Sequence, residues 1–364
     1  MISLIQDKTL LPMSQKENLE KEIVKLKEKI SSVSLPPELK DRCLEMVERL
    51  TRMIEFDSYS AEHERISYYI DWVVSLPWDK RSEDILDLGQ VKRVLDQNHY
   101  GLEEIKERML EYISVLKLRK ENQEDLNISR APILCFVGLV GTGKTTIAHS
   151  IAESLNREFV RIPLGGMSSF ADLRGLPKHS LAAEPGMIVK ALKRAKVKNP
   201  VILLDELDRV AEVGRASIMG VLLELLDPEQ NMAFRDHFVD YPLDLSEVLF
   251  VATANNITNI SVAVMDRLEP MEMPSYTDEE KVMIGKNYLL PRVMKESGLS
   301  SQAIKINEDV WPKIVRPLGY DAGIRTLERT IKKICRKAAK LTVEKGERSF
   351  VISLDNLKQF VPIW

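Results

Sequence analysis

The residues best suited to chemistry lie near the middle of the chain, where a glycine-rich stretch ends in a lysine and a threonine. The stretch has the spacing G-x-x-x-x-G-K-[ST] and reads Gly138, Leu139, Val140, Gly141, Thr142, Gly143, Lys144 and Thr145. Glycines let backbone N–H groups close around phosphate oxygens, and the helix predicted over 146–155 adds the positive end of its dipole. We expect Lys144 to contact the β- and γ-phosphates of a nucleotide, the Thr145 hydroxyl to hold Mg²⁺, and Thr146 to belong to the same site. The alternative is a glycine-rich turn without a ligand.

A second group of candidate residues follows the apolar run 201–204. Asp205 and Glu206 come directly after it, which places both carboxylates at the carboxyl end of a strand, where open α/β sheets bind ligands. We expect Asp205 to join the magnesium shell and Glu206 to polarise an attacking water. The pair alone is a weak signal, since such acids also cap helices. Combined with the glycine-rich stretch, it indicates nucleoside triphosphate hydrolysis.

Three further polar residues are candidates on weaker grounds. Asn255 follows the apolar run 248–254, and we expect it to position the water or to sense the γ-phosphate, with a capping role as the alternative. Arg267 and Arg325 are candidate phosphate ligands, because guanidinium groups are planar, multidentate and always charged. For an arbitrary arginine, a solvated face or a surface ion pair is the commoner role.

The elements that must position these residues follow from the spacing of apolar side chains. Short apolar runs at 133–137, 159–164, 201–204 and 248–252 are separated by helix-length segments, which predicts a mostly parallel sheet with helices on both faces. We therefore expect an α/β domain over 124–274, preceded by a helical neck over 61–123 and followed by helices over 275–364. Residues 1–60 are predicted to form a helical hairpin, which either projects from the body or packs against it.

Composition excludes several classes of protein. The chain has 364 residues, 44% of them apolar, which argues against a mostly disordered protein. It has 52 basic and 55 acidic residues, so it lacks the net positive charge that would attract nucleic acid. The longest apolar stretch, 131–141, is too short to cross a bilayer. A basic cluster at 190–198 is better explained as a solvated helix face than as a nucleic-acid site. Scattered histidines and three distant cysteines predict no metal beyond phosphate-bound Mg²⁺.

Six separated segments also occur in an order typical of one family. They are Tyr69–Trp72 with Leu76–Trp78, His99–Leu102, Leu203–Asp208, Leu226–Asn231, Ala252–Asn255 and Ala322–Arg325. With them, the chain from about residue 15 to residue 361 resembles the ATPase portion of Lon protease, an AAA+ enzyme. The resemblance implies a phosphate-loop (P-loop) AAA+ sheet, a helical lid domain after it, and ATP and Mg²⁺ as cofactors.

The resemblance also implies residue roles and partners. Asn255 is similar to the sensor-1 residue, Arg325 to sensor 2, and Arg267 to the arginine finger that is given to a neighbouring subunit. His99, Tyr100 and Gly101 would lie near the adenine. Lon-like ATPases work as hexameric rings that unfold proteins and pull them through a central pore. The implied partners are copies of this chain, unfolded or damaged proteins and a separate peptidase. The composition by itself predicts a cytoplasmic location, with the mitochondrial matrix as the alternative.

Departures from the family pattern keep a second function open. Leu139 and Val140 stand where Lon usually has two prolines, and Ser180 stands where Lon has the aromatic residue that grips substrate. A hydroxymethyl group lacks the apolar area of a ring, so we expect weaker traction on a polypeptide. The sequence has no counterpart of the receptor and Ser–Lys peptidase domains of Lon, so it names no nucleophile for peptide cleavage. The alternatives are a nucleotide-dependent assembly switch and a piece of a longer protease.

Overall fold

Helices occupy the chain before the first strand. They are α1 (Met13–Ser31), α2 (Pro37–Glu55), α3 (Ala61–Ser75), α4 (Leu88–Asn98) and α5 (Glu103–Glu121). These bounds come from a computed structural model that describes residues 13–55, 61–122, 133–316 and 321–361. The predicted divisions after residues 60 and 123 fall at segments outside the described residues, so the domain boundaries stay predictions.

The strands of the central part follow in the order β1 (Ile133–Gly138), β2 (Phe159–Pro163), β3 (Val201–Asp205), β4 (Phe234–Arg235), β5 (Pro242–Leu243), β6 (Leu249–Ala254) and β7 (Leu268–Met273). Five of them form one parallel sheet with the order β2-β3-β6-β1-β7. The predicted fold class is confirmed. The sequence did not reveal β7, because this edge strand contains Pro270 and two glutamates instead of an apolar run.

Helices cover both faces of this sheet. The helices between its strands are α6 (Lys144–Ser154), α7 (Ala171–Arg174), α8 (Met187–Ala195), α9 (Arg215–Leu226) and α10 (Val262–Met265). Along β3, Ile202 and Leu204 face the core shared with α8 and α9, whereas Val201 and Leu203 face the core shared with α4, α5 and α6. Strand residues alternate between faces, so burial on both sides explains why these strands are apolar throughout.

The lid follows β7 and has a core of its own. It comprises α11 (Asp278–Ile284), a π-helical turn (Gly285–Leu289), α12 (Leu290–Glu296), β8 (Ile304–Ile306), α13 (Trp311–Val315), α14 (Arg325–Lys345), β9 (Phe350–Ile352) and α15 (Leu357–Phe360). Strands β8 and β9 pair in parallel. Trp311 is buried at the centre of the lid. The lid is therefore mainly helical, with one small sheet.

The N-terminal hairpin packs against the body of the protein. The apolar faces of α1 and α2 belong to the same buried cluster as one face of the sheet. Arg42 donates to the carbonyl oxygen of Asp240 at 2.9 Å, and the Tyr69 hydroxyl donates to that of Val239 at 2.9 Å. These bonds connect α2 and α3 to the segment before β5, which favours the packed arrangement over a projecting one. No helix within the described residues combines the length and apolar character that a membrane crossing requires.

Candidate nucleotide site

The glycine-rich stretch forms the loop between β1 and α6. Because α6 begins at Lys144, its first backbone N–H groups point toward the loop. The Lys144 ammonium donates to the carbonyl oxygens of Gly138 at 2.6 Å and Leu139 at 3.0 Å, and to Asn255 Oδ1 at 3.2 Å. Partial burial lowers the pKa of Lys144, an effect that the Asp205 and Asp208 carboxylates oppose. The loop thus presents a cation and helix N–H groups on one side of a cavity.

Two carboxylates lie beside this loop at the tip of β3. Asp205 is buried, and one of its oxygens accepts a hydrogen bond from the Thr253 hydroxyl. Glu206 has a positive φ of 60° and donates its backbone N–H to Thr253 Oγ1 at 3.0 Å. The turn directs the Glu206 carboxylate to Arg209, whose Nη1 lies 3.1 Å from Oε1. Thr253 therefore fixes both acidic residues through a single hydroxyl.

A cationic side chain holds the second oxygen of the buried carboxylate. Arg161 on β2 donates through Nε to Asp205 Oδ2 at 2.5 Å. The Arg161 side chain is 50% exposed, whereas that of Asp205 is only 6% exposed. No motif in the sequence pointed to Arg161.

An acidic residue also positions the candidate sensor amide. Asn255 donates its backbone N–H to Asp208 Oδ1 at 3.0 Å, and its side-chain amide lies 3.4 Å from Oδ2. Because Asp208 is buried, this contact orients Asn255 with its carbonyl oxygen toward Lys144. Asn255 therefore joins β6 to the loop and does not cap a helix.

The lid closes the cavity from the opposite side. Ile324 donates its N–H to the carbonyl oxygen of Gly141 at 3.0 Å, and the Tyr276 hydroxyl donates to that of Thr142 at 3.0 Å. A Cβ at Gly323 would lie 2.5 Å from the carbonyl carbon of Gly141, so the two backbones can touch only because residue 323 is a glycine. This contact brings Arg325, at the start of α14, to the cavity.

The far end of the cavity is lined by the segment after α4. His99 is buried, and its Nε2 lies 2.9 Å from the Ser150 hydroxyl. Burial, with a smaller contribution from Lys106, lowers the pKa of His99 to about 4, so the ring is neutral at pH 7. Tyr100 and, from the π-helical turn, Tyr288 line the same end. π-helical turns often occur at functional sites, and here the turn forms a wall of the cavity.

These elements enclose one cavity of about 310 Å³. The predicted residues that line it are His99, Tyr100, Val140, Gly141, Gly143, Lys144, Thr145, Thr146, Asp205, Glu206, Asn255 and Arg325. Cations and helix N–H groups suit a phosphate chain. The Thr145 hydroxyl and the Asp205 carboxylate are hard oxygen donors that suit Mg²⁺, which takes its remaining ligands from phosphates and water. Among the described residues, no group of three or more His, Cys, Asp or Glu side chains is arranged to hold a metal alone.

Comparison with known proteins agrees with this geometry. Residues 134–274 match the family described as ATPase family associated with various cellular activities (AAA), and residues 295–350 match the Lon protease AAA+ ATPase lid domain. This chain contains a Lon-type AAA+ ATPase module.

Curated relatives extend the likeness over nearly the whole chain. Lon protease of Heliobacterium modesticaldum is 40% identical over 351 residues, which are 96% of this chain and 42% of that protein. Lon protease of Elusimicrobium minutum is 42% identical, over 96% of this chain and 41% of that protein. Lon protease 2 of Thermus thermophilus is 41% identical, over 95% and 43%. The chain therefore spans about two fifths of the length of the curated relatives it matches.

Not every predicted residue of the Lon-type module lines the cavity. Gly101, Gly138, Leu139 and Thr142 are not among the described residues that line it. Gly138 and Leu139 instead accept hydrogen bonds from Lys144, and the buried Thr142 hydroxyl donates to Leu139 at 2.9 Å. Their part in nucleotide binding stays a prediction, and the contacts seen here hold the loop in shape.

Arg267 lies away from the cavity of its own chain, between α10 and β7. Its Nη2 donates to Asp227 Oδ2 at 2.7 Å, and its side chain is 45% exposed. Burial raises the pKa of Asp227, but the Glu229 N–H and the Arg267 charge outweigh it, so the net pKa is lowered. A residue that completes a neighbour's site must lie outside its own. The position is compatible with that role.

Sequence reasoning missed three residues that build the Lon-type site. Thr253 and Asp208 lie inside the segments that carry the family resemblance, so the order of those segments was a signal for them. Arg161 had no such signal, because a single arginine in an apolar strand is uninformative until the neighbouring strand is known. Each acts through a hydrogen bond to a predicted residue rather than through its own position in a motif.

The basic cluster near α8 has partners on the protein itself. Lys190 pairs with Glu184 at 2.5 Å, and Lys198 pairs with Glu247 at 2.7 Å. The Lys193 ammonium lies 3.7 Å from the centre of the Trp72 ring, which is a cation–π contact. These contacts account for much of the positive charge at 190–198 without a nucleic-acid ligand.

Proposed function

We propose that this module binds Mg-ATP in the cavity between the loop, the β3 tip and the lid, and that it hydrolyses the nucleotide. The observation that carries the proposal is the convergence of Lys144, Thr145, Asp205, Glu206 and Asn255 on one cavity. Lys144 and Thr145 lie at the start of α6, Asp205 and Glu206 at the end of β3, and Asn255 directly after β6. Their meeting therefore depends on the parallel order of the sheet. This set supplies every group that phosphoryl transfer to water needs from one chain.

Each residue that lines the cavity would have its own role in nucleotide binding or hydrolysis. Lys144 and Arg325 would neutralise phosphate charge, and Thr145 with Asp205 would hold Mg²⁺, which supplies Lewis-acid stabilisation of the phosphate oxygens. Glu206 would accept the proton of the attacking water, and Asn255 would orient that water. His99 and Tyr100 would lie against the base of the nucleotide, where a neutral imidazole avoids a buried charge.

We further propose that the active form is a ring, a hexamer by family resemblance, in which Arg267 of one subunit reaches the γ-phosphate of the next. Its exposure and its position outside its own cavity support this arrangement. Such a ring would convert hydrolysis into unfolding and threading of damaged proteins for a peptidase. The cytoplasmic location stays a prediction.

Nucleotide binding is the first test, and Lys144→Met is the variant to compare with the parent protein. Calorimetric titration with Mg-ADP should detect binding by the parent, and the variant should bind about a hundredfold more weakly, because it loses charge-assisted hydrogen bonds to phosphate. Lys92→Met, on the solvent side of α4, is the matched control and should bind as the parent does. Folded parent protein that shows no binding would overturn the proposal.

A second function is favoured by the loop that carries Ser180. The Ser180 hydroxyl donates to the carbonyl oxygen of Pro177 at 2.8 Å, and Lys178 lies over the Tyr69 ring at 5.0 Å. Leu181 beside it is almost fully exposed, so the large apolar side chain next to Ser180 is aliphatic and is not that of a Phe, Tyr or Trp. A nucleotide-gated assembly switch needs no grip on substrate and fits this loop.

A fluorescent, loosely folded protein substrate distinguishes the two functions. With ATP, a threading motor should unfold it in many turnovers per ring, and Leu181→Asp should abolish this without changing the rate of ATP hydrolysis. A switch should change oligomeric state with nucleotide, measured by light scattering, and leave the substrate folded. Glu184→Gln, on the same exposed loop, controls for disturbance of the loop.

A further inference from the structure

The buried Asp205 carboxylate has both oxygens engaged by its own chain. Thr253 donates to Oδ1, and Arg161 Nε lies 2.5 Å from Oδ2. A carboxylate that is 6% exposed is costly to leave without a counter-charge. Arg161 therefore supplies a positive charge in direct contact with this carboxylate.

This ion pair is built into the pairing of two adjacent strands. In the parallel register, Arg161 lies opposite Leu203, and Asp205 lies opposite Pro163. The two charged residues are thus diagonal neighbours on one face of the sheet, within reach of a long side chain. Arg161 is half-exposed and lines the nucleotide cavity, while its partner is buried.

We propose that Arg161 competes with Mg²⁺ for Asp205 and so regulates how the nucleotide and the metal enter the site. This inference rests on the proposed binding of Mg-ATP. Mg²⁺ that ligates Asp205 through Oδ2 would compete with the guanidinium for that oxygen, while Oδ1 accepts from Thr253. The displaced side chain stays at the cavity, where phosphate oxygens offer it a new partner.

The competition has a consequence for affinity. Without Mg²⁺, Arg161 neutralises Asp205, so the phosphates do not meet a bare carboxylate. With Mg²⁺, part of the binding free energy is used to break the ion pair. The parent should therefore show a moderate gain in nucleotide affinity from Mg²⁺. A variant without the guanidinium should bind poorly without the metal and gain more from it.

Arg161→Gln tests this by nucleotide binding alone, without turnover. Fluorescent ADP is titrated into parent and variant in excess EDTA and in excess MgCl₂. The dissociation constant in EDTA divided by that in MgCl₂ should be about tenfold larger in the variant than in the parent. This is the size expected for one half-exposed, charge-assisted hydrogen bond. The Mg²⁺ concentration that gives half of the effect should fall correspondingly.

Arg81→Gln is the matched control. Arg81 is 54% exposed and forms a similar ion pair with Glu247 at 2.6 Å, but it lies outside the described residues that line the cavity. The ratio for this variant should equal that of the parent. Arg161→Lys keeps a cation on a different geometry and should give an intermediate ratio.

The outcomes separate this inference from the proposed function. A parental ratio in folded Arg161→Gln overturns the competition while leaving nucleotide binding intact. If that variant does not fold, Arg161→Lys decides: an increased ratio supports the competition and a parental ratio overturns it. A parent that binds no nucleotide in either buffer overturns the proposed function, and this inference with it.

Discussion

Arg267→Ala should retain the nucleotide affinity of the parent and lose about 10³-fold or more in ATP turnover, the range known for arginine fingers. The loss is expected because Arg267 lies outside its own cavity and would stabilise transition-state charge only in a neighbouring subunit. Affinity is measured by calorimetry with Mg-ADP, and turnover by phosphate release at saturating ATP. An affinity that falls together with turnover would contradict a role confined to the transition state.

Asp227→Asn controls for the structural contribution of Arg267. It removes the charge partner of Arg267 but leaves the guanidinium in place. If Arg267 acts only through this 2.7 Å ion pair, both variants should lose turnover equally. If Arg267 acts on a neighbour's phosphate, Asp227→Asn should keep most of the activity. Asparagine can still accept the hydrogen bond that Asp227 Oδ1 receives from the Glu229 N–H, and the Arg267 side chain is half-exposed, so both variants should fold.

Glu206→Gln should bind ATP as tightly as the parent and hydrolyse it about 10²- to 10⁴-fold more slowly, the usual contribution of a general base. Glutamine keeps the shape of the side chain and loses the carboxylate that accepts a proton from water. The lost contact with Arg209 spans 3.1 Å between half-exposed groups and should cost little stability. Glu212→Gln, the same change at an exposed position of the next turn, should keep full activity.

Mixing the two inactive variants gives a sharper test than either alone. In a mixed ring, a subunit with Arg267→Ala keeps its own Glu206 and can receive Arg267 from a neighbour with Glu206→Gln. Turnover should therefore recover to a measurable fraction of the parent rate. Two variants that fail for structural reasons, or that act within one subunit, would show no recovery. Equal turnover by Glu206→Gln and the parent would refute the role of that carboxylate.

Much of the site was predictable because its motifs are contiguous in sequence. A loop that cradles phosphate must be glycine-rich and must be followed by a helix. The loop from Gly141 to Thr146 could therefore be recognised from residue types and spacing alone. Asp205 and Glu206 were identified because two acidic residues directly follow a fully apolar run, the pattern expected at the carboxyl edge of a parallel sheet. Four of the five sheet strands were predicted for the same reason, while β7 alternates polar and apolar residues at the edge.

Residues that act across strands could not be predicted in this way. Arg161 meets Asp205 only through the register of β2 with β3, and Asp208 meets Asn255 only because β3 and β6 are neighbours. The spacing of apolar residues along one strand does not show how that strand aligns with its neighbour in the sheet. The position of the N-terminal hairpin was open for a similar reason, since the apolar faces of α1 and α2 suit each other and the body of the protein equally well.

The sequence alone thus determined the sheet with its helices, the loop, the two carboxylates and the likeness to Lon-type ATPases, because each depends on residues that are adjacent or regularly spaced. Which charges meet depends on how the chain folds. The tertiary structure paired Arg161 with Asp205, and Arg267 with Asp227. It also brought Gly323 of the lid against Gly141 of the loop. The physical reason is that these contacts join segments far apart in the chain, and their geometry exists only once the sheet order and the position of the lid are fixed.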